Sequence, residues 1–193
     1  TYQRIPTWHN TEALLINSAQ HAAKSARSWS NLGRYYLDRQ EYEKAFPPIE
    51  RALALSPEYP SALEAMGVIL LSKGELQRSR EYMITAYRTN RVGHTWLNNI
   101  ALLHLAEVQQ GIKPLSWIGN AVEFSRKAQQ QAPNEPRYVK TTALLFERLG
   151  DCQAAYAEWQ RYLRMSIGKD EAARIYAHLQ RNYQANGRSC QLR

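Results

Sequence analysis

The residues best able to do chemistry are five histidines and two cysteines, and their spacing does not fit a metal site. No histidine stands in a His-Glu-x-x-His arrangement, and Cys152 and Cys190 are too far apart for a zinc motif. Gly33 and Gly67 fall inside helical patterns rather than in a phosphate-binding loop, and no nucleophile elbow occurs. We therefore expect a chain that is not an enzyme, with no catalytic residue, metal, cofactor or small-molecule substrate. The histidines are His9, His21, His94, His104 and His178.

The charge of the chain is positive but dispersed. The 193 residues include 25 Lys and Arg against 17 Asp and Glu, a formal net charge of +8, without any block of like charge. Such an excess is typical of a solvated surface, and it also suits an acidic partner or an anionic lipid surface. Nucleic-acid binding would rest on charge alone and is not expected. The apolar share of 44% indicates a globular chain, and no run approaches the roughly 18 apolar residues of a membrane span.

A repeat of 34 residues organises the helices that position the histidine and cysteine side chains. Between positions 29 and 57, large and small apolar residues recur with helical spacing, and Pro57 ends the second of two helices. Small Gly33 and Ala45 allow these helices to approach closely. The pattern returns around Gly67 and again in a third and a fourth copy.

The third copy is longer by eight residues, which we place near residues 108–115, between its two helices. Either the first helix is longer by about two turns or the connection is a longer loop. Gly111 and Pro114 favour a loop that ends before Ser116, a good N-cap for the next helix. The insertion is either a binding element or a tolerated surface loop.

The predicted fold class is all-α. We expect a lead-in and N-terminal helix over residues 1–25, four helical hairpins, and a capping helix with a tail over residues 168–193. In the capping helix, Ile175, Tyr176, Leu179 and Tyr183 are expected on the packed side, and Arg174, His178 and Arg181 on the solvent side. The hairpins are residues 26–59, 60–93, 94–135 and 136–167.

Residues 26–167 resemble the tetratricopeptide repeat family, with four copies in register. The resemblance implies a right-handed superhelix of helical hairpins in which the first helix of each hairpin, helix A, lines the concave face. It also implies a protein or peptide partner and no catalysis.

The register predicts a peptide-binding groove on the inward positions of the A helices. Its lining is apolar in the middle and basic towards both ends, so carboxylates or carbonyls of a peptide would lie near Arg34 and Lys140. The alternative is that the apolar members pack against each other across a tight superhelix. Glu147 belongs to the wider inward-facing set. The predicted groove residues are Arg27, Asn31, Arg34, Leu37, Val68, Leu71, Asn98, Leu102, Leu105, Arg137, Lys140 and Leu144.

The two cysteines are candidates for a disulfide. Cys152 begins the second helix of the fourth hairpin, and an antiparallel capping helix would bring Cys190 back beside it. A Cα separation within about 7 Å would allow the bond. A disulfide would fix the cap and suit an oxidising compartment. The alternative is a buried thiol at Cys152 and a free thiol in the tail.

The N-terminal run, with Tyr2-Gln3-Arg4, Trp8, Leu14-Leu15 and Asn31-Leu32-Gly33, is similar to the junction between membrane and repeat parts in multi-spanning O-mannosyltransferases and their bacterial relatives. This resemblance implies a periplasmic or lumenal domain, tethered through an upstream segment, that recruits or positions protein substrates. The membrane domain of the same polypeptide would then be a partner. A first residue that is Thr rather than Met is consistent with a piece of a longer chain. The alternatives are a stand-alone scaffold or assembly factor, of pilus or secretion type, and a cytoplasmic location.

Overall fold

The structure is a computed structural model, and it describes residues 11–89, 92–165, 167–184 and 189–190. This part consists of ten helices and one short pair of strands, so the all-α prediction is confirmed. The helices fall into two compact units. The first unit contains α1 (Thr11–His21), α2 (Ala26–Leu37), α3 (Tyr42–Leu55), α4 (Pro60–Ser72) and α5 (Leu76–Arg88). The second contains α6 (His94–Gln109), α7 (Trp117–Gln131), α8 (Pro136–Leu149), α9 (Cys152–Leu163), α10 (Lys169–Asn182), β1 (Tyr183–Gln184) and β2 (Ser189–Cys190).

The chain forms two compact units, Thr1–Val92 and Gly93–Arg193. Hairpins α2–α3 and α4–α5 pack in the first unit, and hairpins α6–α7 and α8–α9 in the second. The N-terminal helix α1 packs on α2, where the hydroxyl of Tyr36 donates to Glu12 over 2.9 Å. Among the described residues, no helix is long and apolar enough to cross a bilayer. Trp8 and the Tyr2-Gln3-Arg4 motif lie outside the described residues.

The two glycines of the repeat lie where the helices of a hairpin come closest. A Cβ on Gly33 would overlap the side chain of Ile49, which is fully buried. A Cβ on Gly67 would lie 2.8 Å from Cγ of Met83, and the backbone oxygen of Gly67 accepts a 2.7 Å hydrogen bond from Ser79. The small residues therefore determine how closely the paired helices pack.

The third hairpin distributes its extra residues between helix and loop. Helix α6 continues to Gln109, and the connection to α7 spans residues 110–116. Gly111 has a φ of 72°, and the backbone amides of Ile112 and Lys113 donate to the backbone oxygen of Glu107. Ser116 precedes α7 as expected, but its side chain makes no capping hydrogen bond, because its backbone is already helical.

A disulfide joins the end of the second unit to α9. Tyr183 in β1 pairs with Cys190 in β2, and Cys190 is bonded to Cys152 with a Cα separation of 5.5 Å. Asp151 caps α9 by accepting from the backbone amide of Ala154 over 3.0 Å. The strand pair and the disulfide together hold the chain after α10 against the start of α9.

Candidate functional site

A cavity of about 490 Å³ opens within the second unit between α6, α8 and α10. These three helices occupy the A positions of successive repeats, and no residue of α7 or α9 lines the space. Its lining combines aliphatic with polar side chains: we call Leu105, Leu144 and Leu149 the aliphatic wall, and the polar side chains the polar wall. We call the space the α6–α8–α10 cavity; it is lined by Leu105, Gln109, Leu144, Glu147, Arg148, Leu149, Gly150, His178 and Asn182.

The carboxylate of Glu147 is the centre of the polar wall. Its Oε1 atom accepts hydrogen bonds from Nε1 of Trp159 over 2.8 Å, from Nε2 of His178 over 2.6 Å and from the hydroxyl of Tyr183 over 2.6 Å. Trp159 is almost fully buried, and the imidazole of His178 lies 5.7 Å from its indole in an edge-to-face arrangement. Three donors on one oxygen fix the orientation of the carboxylate.

The partners of His178 determine its tautomer. Nδ2 of Asn182 donates to the backbone oxygen of His178 over 3.0 Å, so the amide nitrogen must face that residue. The same nitrogen lies 2.9 Å from Nδ1 of His178. Nδ1 is therefore the acceptor, and Nε2 carries the proton that is donated to Glu147. We thus assign a neutral imidazole, which leaves the formal charge of Glu147 uncompensated by His178.

Tyr183 links the site to the disulfide. Its hydroxyl binds Glu147, while its backbone pairs with Cys190. Burial, followed by the hydrogen bond to the Glu147 carboxylate, raises the pKa of Tyr183 well above that of an ordinary tyrosine. The phenol therefore keeps its proton at neutral pH and donates it in the hydrogen bond to Glu147. The strand pair thus positions one of the three groups that orient Glu147.

The predicted groove residues of the first unit lie along α2 and α4. Arg27, Asn31 and Arg34 share one exposed face of α2, and Arg34 donates to the hydroxyl of Ser61 over 3.3 Å. Leu37, Val68 and Leu71 are half-buried. None of these six residues lines the α6–α8–α10 cavity, which is built from the second unit.

Two predicted residues of the second unit line the cavity, Leu105 and Leu144. Leu105 is itself largely buried, while Leu144 is half-buried. Asn98 is 5% exposed, and its Oδ1 has no hydrogen-bond partner among the described residues. Leu102 is half-buried on α6. The structure thus brings only part of the predicted lining to one place.

The predicted cations of the second unit already have carboxylate partners. Lys140 donates to Oε1 of Glu171 on α10 over 2.7 Å, and Arg137 binds Glu135 over 2.9 Å. The hydrogen bond from Lys140 holds the pKa of Glu171 below its ordinary value. Lys140 therefore joins α8 to α10, and replacing it by Glu would place two carboxylates together. The sequence did not indicate this structural role.

The predicted facing of the capping helix is partly wrong. His178 was expected towards solvent, but its side chain turns to Glu147 and Trp159. Tyr176 was expected on the packed side, but it is 55% exposed. Ile175 and Leu179 are buried as predicted. His178 turns inward because Glu147 accepts its hydrogen bond there. The pattern of apolar residues along the helix does not reveal such a polar partner.

A signal for His178 and Asn182 was present in the repeat period. His178 stands 34 residues after Leu144, and Asn182 stands 34 residues after Arg148. Continuing the period one step past the fourth hairpin therefore assigns α10 to the next A position and both residues to the cavity. Tyr183 could not be found in this way, because it belongs to a strand rather than to a repeat helix.

Two further cavities lie in the first unit, with volumes of about 500 and 410 Å³. The larger one lies between α2 and α3 and includes Trp29, Pro47 and Arg51. The smaller one lies at the connections of the two hairpins and includes Tyr42 and Lys73. Neither is built from A helices of three repeats, so the α6–α8–α10 cavity is the stronger candidate.

Comparison with known proteins supports the repeat assignment. The family described as tetratricopeptide repeat matches residues 26–59. Comparison with curated protein sequences found no match. Among solved structures, the tetratricopeptide repeat protein TTC0263 of Thermus thermophilus is similar, with a TM-score of 0.66 and 20% identity, over 80% of this chain and 83% of that one.

Two other similar structures extend this likeness. The tetratricopeptide repeat protein YrrB, described as having an unusual peptide-binding site, gives a TM-score of 0.52 and 15% identity over 86% of this chain and 84% of that one. PilF of Pseudomonas aeruginosa gives a TM-score of 0.59 and 17% identity over 93% of this chain and 85% of that one. The chain therefore has the fold of the tetratricopeptide repeat proteins, with one repeat matched by the family model itself.

Proposed function

We propose that the chain is a protein-binding repeat module that holds a peptide segment of its partner in the α6–α8–α10 cavity. The observation that carries this proposal is the position of the cavity on three successive A helices, with both aliphatic and polar side chains in its lining. Its volume of about 490 Å³ lies within the range of pockets that bind compact ligands. The peptide-binding site named for YrrB supports the same type of ligand.

The two walls suit different parts of a peptide. Leu144 and Leu149 present aliphatic surface, and Leu149 is 40% exposed although it is a large apolar side chain. Removing such surface from water contributes about 25 cal/mol per Å², which offsets part of the cost of association. The side-chain amide of Gln109 can pair with both the N–H and the C=O groups of an extended backbone, and Oδ1 of Asn182 can accept from a backbone N–H. The cavity therefore matches a peptide segment that carries apolar side chains.

An uncharged polar residue on the aliphatic wall tests the proposal. Peptides selected from a random library on the wild-type protein should bind the Leu149→Asn variant at least about tenfold more weakly, because a polar amide would be buried against apolar groups. Tyr176→Asn is the matched control, since Tyr176 is 55% exposed and does not line the cavity. Fluorescence anisotropy with labelled peptides measures both affinities.

The site proposal fails if the selected peptides bind Leu149→Asn as tightly as the wild-type protein. It also fails if Tyr176→Asn weakens binding as much as Leu149→Asn does. Circular dichroism of both variants should match the wild type, since both replaced side chains are exposed.

For the biological context, we propose a periplasmic or lumenal domain that positions protein substrates for a membrane-embedded glycosyltransferase. The proposal starts from the resemblance of the N-terminal run to membrane glycosyltransferases. The disulfide between Cys152 and Cys190 supports the compartment, since such bonds persist in oxidising surroundings. The coding sequence upstream of Thr1 tests the context. Several membrane-spanning segments would support it, and a single signal or lipoprotein peptide would contradict it.

A stand-alone scaffold is the second candidate. The similar structures of TTC0263, YrrB and PilF are matched over 83% to 85% of their own length, so repeat arrays of this size exist without a large additional domain in the matched chains. This candidate predicts the single signal or lipoprotein peptide. The peptide-binding role of the α6–α8–α10 cavity is the same in both contexts.

A further inference from the structure

We infer that the α6–α8–α10 cavity recognises a basic side chain, lysine or arginine, of the bound peptide, with Glu147 as its partner. The inference rests on the proposed peptide-binding function and specifies the ligand. It is carried by the unequal use of the two carboxylate oxygens of Glu147. Oε1 accepts three hydrogen bonds, whereas Oε2 has no partner among the described residues.

The charge of Glu147 has no Lys or Arg partner among the described residues. Its three donors are the indole of Trp159, the phenol of Tyr183 and the neutral imidazole of His178. Trp159 can only donate, so the Glu147 oxygen that it contacts must be an acceptor. The side chain of Glu147 is 13% exposed, which weakens screening by water. A ligand cation would supply the opposite charge.

The lining of the cavity suits a long basic side chain better than a small cation. The aliphatic wall of Leu105, Leu144 and Leu149 lies in the same cavity as Glu147. Lysine and arginine have apolar stems that pack on such surfaces while the charged end reaches a polar partner. A basic side chain can therefore satisfy both walls at once.

The neighbouring cation does not neutralise Glu147. Arg148 lines the cavity but is the next residue on α8, and adjacent helical residues do not face each other. Arg148 is exposed, and no ion pair joins it to Glu147 in the described part of the chain. If Arg148 rather than Glu147 dominated recognition, the cavity would prefer acidic peptides, and this outcome is open to test.

Parallel peptide selections test the inference. The same random library is selected on the wild-type protein, on Glu147→Gln and on Arg148→Gln. Gln keeps an oxygen for the three donors and replaces only the charged, unused oxygen by an amide. We expect wild type and Arg148→Gln to enrich peptides with lysine or arginine beside an aliphatic residue, and Glu147→Gln to lose this preference.

A double-mutant cycle then measures the pair directly. In a selected peptide, the basic residue is replaced by norleucine, which keeps the apolar stem. On wild-type protein this replacement should weaken binding at least about tenfold, as expected for a hydrogen bond between charged groups. On Glu147→Gln the two peptides should bind equally. If Glu147→Gln does not fold, the salt dependence of peptide binding to the wild-type protein is measured instead. The affinity for the basic peptide should fall with added NaCl, and the affinity for the norleucine peptide should not.

Each outcome separates the two proposals. If selected peptides lose affinity for Leu149→Asn but carry no basic residue, or show no coupling to Glu147, the peptide site stands and the cation inference is overturned. Enrichment of Asp and Glu that depends on Arg148 also overturns it. If the peptides bind Leu149→Asn unchanged, the proposed site and the inference fail together.

Discussion

At the scale of single residues, Gly33 and Gly67 show why the repeat needs its small positions. Each lies in an A helix at the point where the partner helix approaches, and an added Cβ would meet Ile49 or Met83. Ile49 and Met83 are fully buried, so neither side chain can move aside without disturbing its neighbours. Gly119, by contrast, lies in α7 with open space around it.

This contrast gives a matched pair of variants. Gly33→Ala should lower the free energy of unfolding by about 1–2 kcal/mol, because overpacking exceeds the gain in helix propensity. Gly119→Ala should leave it unchanged or raise it by up to about 1 kcal/mol. Urea denaturation followed by circular dichroism measures both. Equal stability of the two variants would show that Gly33 does not limit the packing of α2 on α3.

The roles of single residues were predictable where they follow from the 34-residue repeat. The role of Gly33 follows from its place within a helix pair, and Leu105 and Leu144 follow from the register of the A helices. The three hydrogen bonds to Glu147 do not follow from the repeat period. They join α8 to α9, α10 and β1 through side chains that are distant in the sequence. Hydrogen bonds of this kind leave no periodic trace in the sequence.

At the scale of elements, the end of the second unit depends on a few connections. The pair Lys140–Glu171 joins α8 to α10, and the disulfide joins β2 to α9. The Lys140 side chain is 41% exposed, so this ion pair contributes at most about 1 kcal/mol. The disulfide closes a loop with a sequence separation of 38, which corresponds to roughly 4 kcal/mol in the chain-entropy description.

Reduction of the disulfide should therefore loosen the end of the chain before the rest. Denatured, non-reduced protein should contain no free thiol, and reduction should expose two. In hydrogen exchange, α10 and Tyr183 should lose protection on reduction, while α6 and α7 should not, because the bond touches only α9 and β2. Cys152→Ser with Cys190→Ser should behave like reduced protein. Unchanged exchange in α10 would contradict a stabilising role of the bond.

Elements were predicted more accurately than their connections. The hairpin helices follow from helical spacing and breakers such as Pro57, whereas the long connection at residues 110–116 was only partly foreseen. Gly111 and Pro114 correctly indicated a loop, but α6 also extends to Gln109. Sequence periodicity cannot show how many inserted residues extend the helix and how many form the loop. A longer helix and a longer loop leave the same number of residues between the flanking repeat positions.

At the scale of the whole molecule, the two units offer different surfaces. The first unit exposes Arg27, Asn31 and Arg34 on α2, whereas the second contains a cavity centred on the carboxylate of Glu147. The net charge of +8 favours approach of acidic partners in general, but it does not determine what enters one cavity. We therefore expect a partner peptide to bind in the second unit.

The most direct measurement is the map of ¹H–¹⁵N chemical-shift changes on titrating the wild-type protein with a selected peptide. We predict the largest changes at Leu105, Leu144, Leu149 and Asn182, and at the indole N–H of Trp159, which donates to Glu147. Changes centred instead on the α2 face of the first unit, with the Trp159 indole unmoved, would contradict the proposed site.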